Sequence, residues 1–255
     1  MQKFTNIFSD SGLLQLKKFL SSEKEVLFAF DFDGTLAPIV DNPNYAAMTL
    51  EVFRRLQALA NRKKTVILTG RSVGDVQSRL PSEIHKVVGS HGMEGHPDVS
   101  DDFLAYARST TETWITQLSS QLEGLHRVWI ENKEFSLAVH YRTRASSHDL
   151  PTKLQAKCKL LNPVPEVIYG KNVINLIPNG MPNKLGAINA VMRSLNLERA
   201  FFVGDDITDE FIFAAKSKNI FSVKVGLNPL LSAEYYIETQ FEIQRLLDFL
   251  LESTK

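Results

Sequence analysis

The chain has 255 residues, 44% of them hydrophobic and 23% charged, enough for one large domain or a core plus a smaller module. Lysine plus arginine balance aspartate plus glutamate at 29 each, so no global field points to a nucleic acid or an anionic membrane as partner. No apolar run has the length of a membrane span, residues 1–12 lack a signal-peptide core, and the single Cys158 excludes an internal disulfide; a cytoplasmic location is expected.

In chain order, Leu13 to Leu20 has the spacing of an amphipathic helix. Val26 to Phe30 is apolar at every position, as in a strand covered on both faces, and it runs into Asp31-Phe32-Asp33-Gly34-Thr35. Asp33-Gly34 is a turn signal. Thr49 to Ala60 reads as a helix capped by Thr49, with Leu50, Phe53, Leu56 and Leu59 on one face. Thr65 to Thr69 is a β-branched strand that exits into Gly70-Arg71. A helix over Val73 to Leu80 and a strand over Lys86 to Ser90 complete a strand–helix alternation, the pattern of a doubly wound parallel α/β sheet.

From about Asp101 the pattern changes. A long helix (Phe103 to Leu122) precedes strands Arg127 to Glu131 and Phe135 to Tyr141, joined by Asn132-Lys133 as a hairpin. A polar helix (Leu150 to Leu161) precedes strands Glu166 to Tyr169 and Val173 to Ile177, joined at Gly170-Lys171. Helix–hairpin–helix–hairpin predicts a four-stranded α+β module over residues 99–179, inserted into a core formed by 1–98 and 180–255, with Pro178 to Pro182 as the return hinge. Trp114 and Trp129 read as packing between its helices and sheet, His140 and Tyr141 as its core, and Cys158 as an inert thiol. The core resumes with helix Lys184 to Leu195, strand Ala200 to Gly204, the acidic run Asp205 to Glu210, helix Glu210 to Ala215, strands Ile220 to Val225 and Tyr235 to Ile237, and helix Phe241 to Leu251.

Asp31 and Asp33, Thr69, Lys184, and Asp205 with Asp209 all fall at strand ends or helix starts. In a parallel sheet the carboxyl ends share one edge, where ligands bind. The carboxylates suit Mg²⁺, which takes oxygen ligands and bridges to phosphate. One aspartate can attack phosphorus while the carboxylate two residues on protonates the leaving oxygen and then activates water. Thr69 and Lys184 would stabilise the equatorial oxygens. Each part alone has a plainer reading: Asp-x-Asp-Gly as a solvated turn, Thr-Gly as a strand exit, Lys184 as a surface lysine, and Asp205 to Glu210 as acids at a helix start. Their order and shared context make the joint pattern far more specific.

Asp31-Phe32-Asp33-Gly34-Thr35, Thr69-Gly70-Arg71, Lys184 and Gly204-Asp205-Asp206-Ile207-Thr208-Asp209-Glu210 resemble the four ordered motifs of haloacid-dehalogenase-type phosphatases, and the insert resembles their α+β (C2-type) cap. Gly89-Ser90-His91-Gly92-Met93-Glu94-Gly95, Val139-His140-Tyr141-Arg142 and the fourth motif resemble the trehalose-6-phosphate phosphatase family over nearly the whole chain. The resemblance implies a Rossmann-like core, Asp31 as nucleophile and Asp33 as general acid and base. It also implies Mg²⁺ held by Asp31, the Asp33 carbonyl and Asp205, with Asp209 or Asp206 in support. Gly70, Arg71, His91, Glu94, Arg142, Lys171 and Asn175 are the candidate substrate contacts.

Two departures stand out. Asn175-Leu176-Ile177-Pro178 occupies the place of the family's Glu-x-x-Pro, and Lys184-Leu185-Gly186 that of Lys-Gly. The expectation is a monomeric phosphatase for trehalose 6-phosphate, whose cap closes over a small-molecule sugar phosphate. The rivals are the same chemistry on another sugar or glycoside phosphate, a phosphomutase, and a non-enzymatic phospho-acceptor switch.

Overall fold

The computed structural model describes residues 4–142, 149–170, 172–228, 230 and 232–254. The chain divides into two compact units, one of Met1–Pro97 with Pro182–Lys255 and one of Asp98–Met181. The first unit opens with strands β1 (Thr5–Asn6), β2 (Val26–Phe30), β3 (Thr65–Leu68) and β4 (Lys86–Val88), interleaved with helices α1 (Asp10–Leu20), α2 (Leu50–Ala60) and α3 (Val73–Gln77). The second unit holds α4 (Asp101–Leu122), β5 (Val128–Asn132), β6 (Leu137–Tyr141), α5 (Leu150–Lys159), β7 (Glu166–Gly170) and β8 (Val173–Ile177). The first then resumes with α6 (Lys184–Ser194), β9 (Arg199–Gly204), α7 (Glu210–Ala214), β10 (Ile220–Val225), β11 (Tyr235–Ile237) and α8 (Ile243–Ser253).

Helix starts follow the local chemistry. Ser9, Thr49, Ser72, Ser100 and Asn183 each accept, through the side chain, a backbone N–H that the first turn would leave unpaired. No helix among the described residues is long and apolar enough to cross a membrane.

The seven strands of the first unit run in the order β1-β11-β10-β9-β2-β3-β4, every pair parallel. Strand β2 is buried along its whole length because both faces are covered. Phe28 and Phe30 pack with Phe201 and Phe221 against α1, α2 and α8, while Leu27 and Ala29 face α6 and α7 with Phe202. The sheet is therefore doubly wound, the α/β class that the strand–helix alternation predicts. Successive strands leave β2 in one direction (β3, β4), and β9 to β11 extend in the other. The topological switch point lies between β2 and β9.

The second unit is a four-stranded antiparallel sheet, β5-β6-β8-β7. One face packs on α4 and α5 through Trp114, Leu118, Leu154, Cys158, Leu137, Val139, Ile174 and Leu176. Trp114 is fully buried and its Nε1–H donates to the Pro163 carbonyl at 2.6 Å, as an indole needs when enclosed. Burial pushes the Cys158 thiol up to about 11, in keeping with an inert side chain.

Several elements differ from the sequence reading. Strand β1, two residues at the sheet edge, carries no periodicity to announce it. Helix α3 ends at Gln77, not Leu80, and the strand after it ends at Val88, not Ser90. Helix α8 is shifted to Ile243–Ser253. The β5–β6 connection takes residues 133–136 rather than two, with Glu134 at φ 70 and Asn132 Oδ1 accepting its N–H at 2.8 Å. Trp129 and His140 point away from the core, stacked on each other with ring centroids 5.0 Å apart, and Trp129 is largely exposed. Period 2 places them opposite Val128, Val139 and Tyr141 on the pleat.

Helix α2 buries Val52, Leu56 and Leu59 against α8, and Leu50 lies outside that stripe at 57% exposure. Leu56→Ala is expected to lower unfolding stability by about 2–5 kcal/mol and Leu50→Ala by less than about 0.5 kcal/mol in denaturant titrations. Equal losses would place the buried stripe elsewhere.

Candidate active site

The last residues of β2 and β9 deliver the acidic groups to the switch point. Asp31 continues the ladder one step past β2, its N–H donating to Val203 O at 2.9 Å. Asp205 follows Gly204 at the end of the neighbouring strand β9. Lys184 is the first residue of α6, set there by Asn183, whose Oδ1 accepts the Gly186 N–H at 2.9 Å. Its buried Nζ donates to Asp31 Oδ1 at 2.8 Å and to Asp209 Oδ1 at 2.6 Å, and both acids are enclosed as well.

Asp209 Oδ2 accepts the backbone N–H groups of Asp205 at 2.9 Å and Asp206 at 3.0 Å. The approach is so close that a Cβ on Gly204 would lie 2.3 Å from Asp209 Oδ2. Gly34, at φ +76, turns the chain against Asp205, where a Cβ would lie 2.0 Å from Oδ2. A side chain at Gly204 would push Asp209 from its place, and at Gly34 it would also meet a left-handed backbone. Thr35 Oγ1 faces Asp205 Oδ1 at 3.4 Å, and Gln240 Nε2 ties the turn down through the Thr35 and Leu36 carbonyls, each at 3.1 Å.

The electrostatics follow from burial. Burial raises Asp31 well above the usual carboxylate range, Lys184 opposes it, and Asp209 and Asp205 add to it. Asp205 is pushed up to about 7, first by burial and then by Asp209, again with Lys184 opposing. Burial alone would lower Lys184, but the fields of Asp209 and Asp31 hold it above the usual lysine value, so it stays charged. Ligand oxygens of Asp31, Asp205 and Asp209 lie within 4.8 Å of one another. An all-carboxylate donor set suits a hard divalent cation such as Mg²⁺, and its charge would relieve the mutual repulsion that raises Asp31 and Asp205. Within that group Asp209 already accepts three hydrogen bonds, so it orients Lys184 and the Asp205 backbone.

Asp33 stands apart from this cluster. Its carboxylate is forked by Arg71, with Nε to Oδ2 at 2.6 Å and Nη2 to Oδ1 at 2.8 Å. Nη1 of Arg71 donates to Asp75 at 2.6 Å and Nη2 to the Pro43 carbonyl at 2.8 Å. Four of the five N–H groups of Arg71, named above as a candidate substrate contact, are thus engaged within the protein. Asp75 also pairs with Arg79, and these hydrogen bonds hold its carboxyl low despite burial.

Thr69 is buried at the end of β3, and its Oγ1 accepts the Arg71 N–H at 3.1 Å. The His91 ring covers Gly70, where a Cβ would meet His91 Cε1 at 2.5 Å. Glu94, expected to meet substrate, has Oε2 on the Val73 N–H at 2.7 Å, the first amide of α3. Arg142 and Asn175 lie in the second unit. Arg142 is exposed, and Asn175 pairs with Ala138 and Ile168 in register, on the sheet face that carries Trp129 and His140. Lys171 lies outside the described residues. The reading from sequence gave no role to Asp75 or Gln240. Only the i,i+4 spacing of Arg71 and Asp75 hinted at the first, and nothing local marked Gln240.

A family model described as trehalose-phosphatase matches residues 29–232. A trehalose-phosphate phosphatase from Mycobacterium ulcerans (strain Agy99) is 33% identical over 208 residues, covering 78% of this chain and 53% of that protein. The chain thus spans about half the length of that relative. Among solved structures, the C-terminal domain of a Candida albicans trehalose-6-phosphate phosphatase superposes with TM-score 0.74 at 21% identity, covering 99% of this chain and 98% of that one. A trehalose-6-phosphate phosphatase related protein gives TM-score 0.69 at 24% identity, covering 89% and 97%. At those identities the structural likeness is one of fold.

Asp205 binds its proton more tightly folded, at about 7, than unfolded, at about 4. The stability it contributes is therefore complete below pH about 4 and lost as pH rises through about 7. Free of divalent cations, the wild-type Tm is expected to fall relative to that of Asp205→Asn between pH 4 and pH 7, and added Mg²⁺ to restore it. Parallel pH profiles for the two proteins would contradict this.

Proposed function

The chain belongs to the trehalose-phosphatase family, and on that premise we propose that it hydrolyses trehalose 6-phosphate to trehalose and phosphate, with Mg²⁺, through an aspartyl-phosphate on Asp31. The observation that carries this reading is the buried Lys184 ammonium between Asp31 and Asp209, with Asp205 beside them. Lys184 occupies Asp31 Oδ1 and leaves Oδ2 as the nucleophilic oxygen. Asp31, the Asp33 carbonyl and Asp205 would hold Mg²⁺, which when bound would screen the charge between that carboxylate and the phosphate dianion.

Asp31 Oδ2 forms a bond to phosphorus as the bond from phosphorus to the sugar oxygen breaks, and Asp33 gives the leaving oxygen its proton. Asp33 then takes a proton from water, whose oxygen attacks phosphorus and releases Asp31 and phosphate. Lys184 and Thr69 stabilise the charge on the equatorial oxygens. Arg71 acts on the proton carrier: its fork aims the Asp33 carboxyl, and one arm must release an oxygen for the proton to move.

The second unit is assigned the role of a cap that selects the sugar, with Arg142 and Asn175 as contacts. The stacked Trp129 and His140 rings on the same face as Asn175 suit the flat side of a pyranose. Asn175 also favours a second reading, the same chemistry on another sugar or glycoside phosphate. An amide hydrogen-bonds a hydroxyl without the charge that a glutamate would add.

A panel of sugar phosphates, assayed for phosphate release with and without Mg²⁺, tests the proposal. Trehalose 6-phosphate is expected to be turned over fastest, only with the cation, and not by Asp31→Asn. Wild-type turnover in Asp31→Asn would remove the nucleophile, and a faster alternative sugar would move the substrate. Arg71→Lys separates the two roles of that side chain. A positioning role predicts kcat down about tenfold or more with KM within about threefold, whereas a raised KM at unchanged kcat would return Arg71 to substrate binding.

A further inference from the structure

The opposite edge of the parallel sheet, at the amino ends of its strands, holds a second concavity that the chemistry above does not use. It measures about 680 Å³, within the range of small-molecule sites. Its floor is aromatic. Phe221 of β10 stacks on Tyr235 of β11 with centroids 4.5 Å apart and planes 15° apart, and Phe19 of α1 leans on Phe221 at 5.3 Å. Its rim is basic: Lys18, Arg199, Lys216 and Lys218 stand against one carboxylate, Glu234. In a chain with no net charge this is a local segregation of sign.

The cations are uncompensated as well as clustered. Among the described residues none of the four has a carboxylate within ion-pair distance. The Arg199 guanidinium lies 3.9 Å over the Phe19 ring, and its Nη1 is enclosed without a hydrogen-bond partner among those residues. A half-buried guanidinium clamped on a ring without a counter-ion differs from a solvated surface lysine. Lys216 holds a left-handed backbone, φ 44, in the turn between α7 and β10, a conformation that costs a non-glycine residue energy. The site is distinct from the catalytic edge, because Arg199 opens β9 and Gly204 closes it, about 17 Å away along the strand.

We propose that this cavity is a second ligand site, for a small organic phosphate whose planar body rests on the aromatic floor while its anionic group meets Arg199 and the three lysines. The chemistry on both sides is matched: fixed positive charge for phosphate oxygens, and a ring face for an apolar or aromatic moiety.

Calorimetric titration of the full chain in EDTA tests this, with ADP as probe and with inorganic phosphate and adenosine as separate arms. ADP is expected to bind the wild type with a Kd of about 1 mM or tighter, and each fragment more weakly. Lys216→Glu/Lys218→Glu, two exposed positions remote from the catalytic edge, should weaken ADP at least about tenfold at an unchanged Tm, and Arg199→Gln should do the same. Binding at the catalytic edge would be indifferent to the lysine pair. Three results would overturn the proposal: no ADP binding up to about 10 mM, equal affinity in the lysine variant, or phosphate alone binding as tightly as ADP.

Discussion

The structure turns on one ammonium group. Lys184 Nζ sits between two enclosed carboxylates, and removing it would leave both buried acids without their counter-charge. Everything around it serves to hold that arrangement. Asn183 caps the helix that starts with Lys184, Asp209 gathers the Asp205 and Asp206 amides, and Gly204 yields the space that Asp209 occupies. Burial first, and then the mutual repulsion of Asp31, Asp205 and Asp209 that one cation only partly balances, raises Asp31 and Asp205 together. A site whose acids outnumber its fixed cations has the chemistry that suits a hard cation.

Asp33 obeys a different logic. It is half-exposed and held by a fork, not buried under an ammonium. The pairing runs on from Arg71 through Asp75 to Arg79, which donates to the Asn44 and Ala46 carbonyls. That chain stitches the loop after β2 to α3. Two carboxylates two residues apart thus have separate environments, one enclosed beneath an ammonium and the other held at the surface by a guanidinium. Glu94 is drawn into the same scaffolding by the first amide of α3.

Much of the fold was legible in the chain because it depends on near neighbours. The cap at Thr49, the all-apolar β2, and the limits of β8, β10 and β11 follow from side chains within a few residues. Where near neighbours are ambiguous, the reading slipped. Leu50 fits a helical apolar face by spacing, but α8 packs one position round, on Val52 and Leu56. Trp129 looks like core by its size, yet the pleat puts it on the outer face. Strand β1 exists only because β11 offers it an edge.

For the candidate site the division is sharper. The sequence by itself determined the cast: carboxylates, a lysine, a threonine and glycines at strand exits and helix starts, where open α/β sheets bind ligands. Only the tertiary structure decided who meets whom. Lys184 and Asp31 are 153 residues apart, and they touch because β2 takes β9 as its neighbour. Strand order in a parallel sheet is set by how the covering helices pack, and no local propensity encodes it. The same holds for Arg71, which meets Asp33, Asp75 and the Pro43 carbonyl only because the loop at Pro43 folds back against it. Side-chain type is a property of the chain, but a partner is a property of the packing.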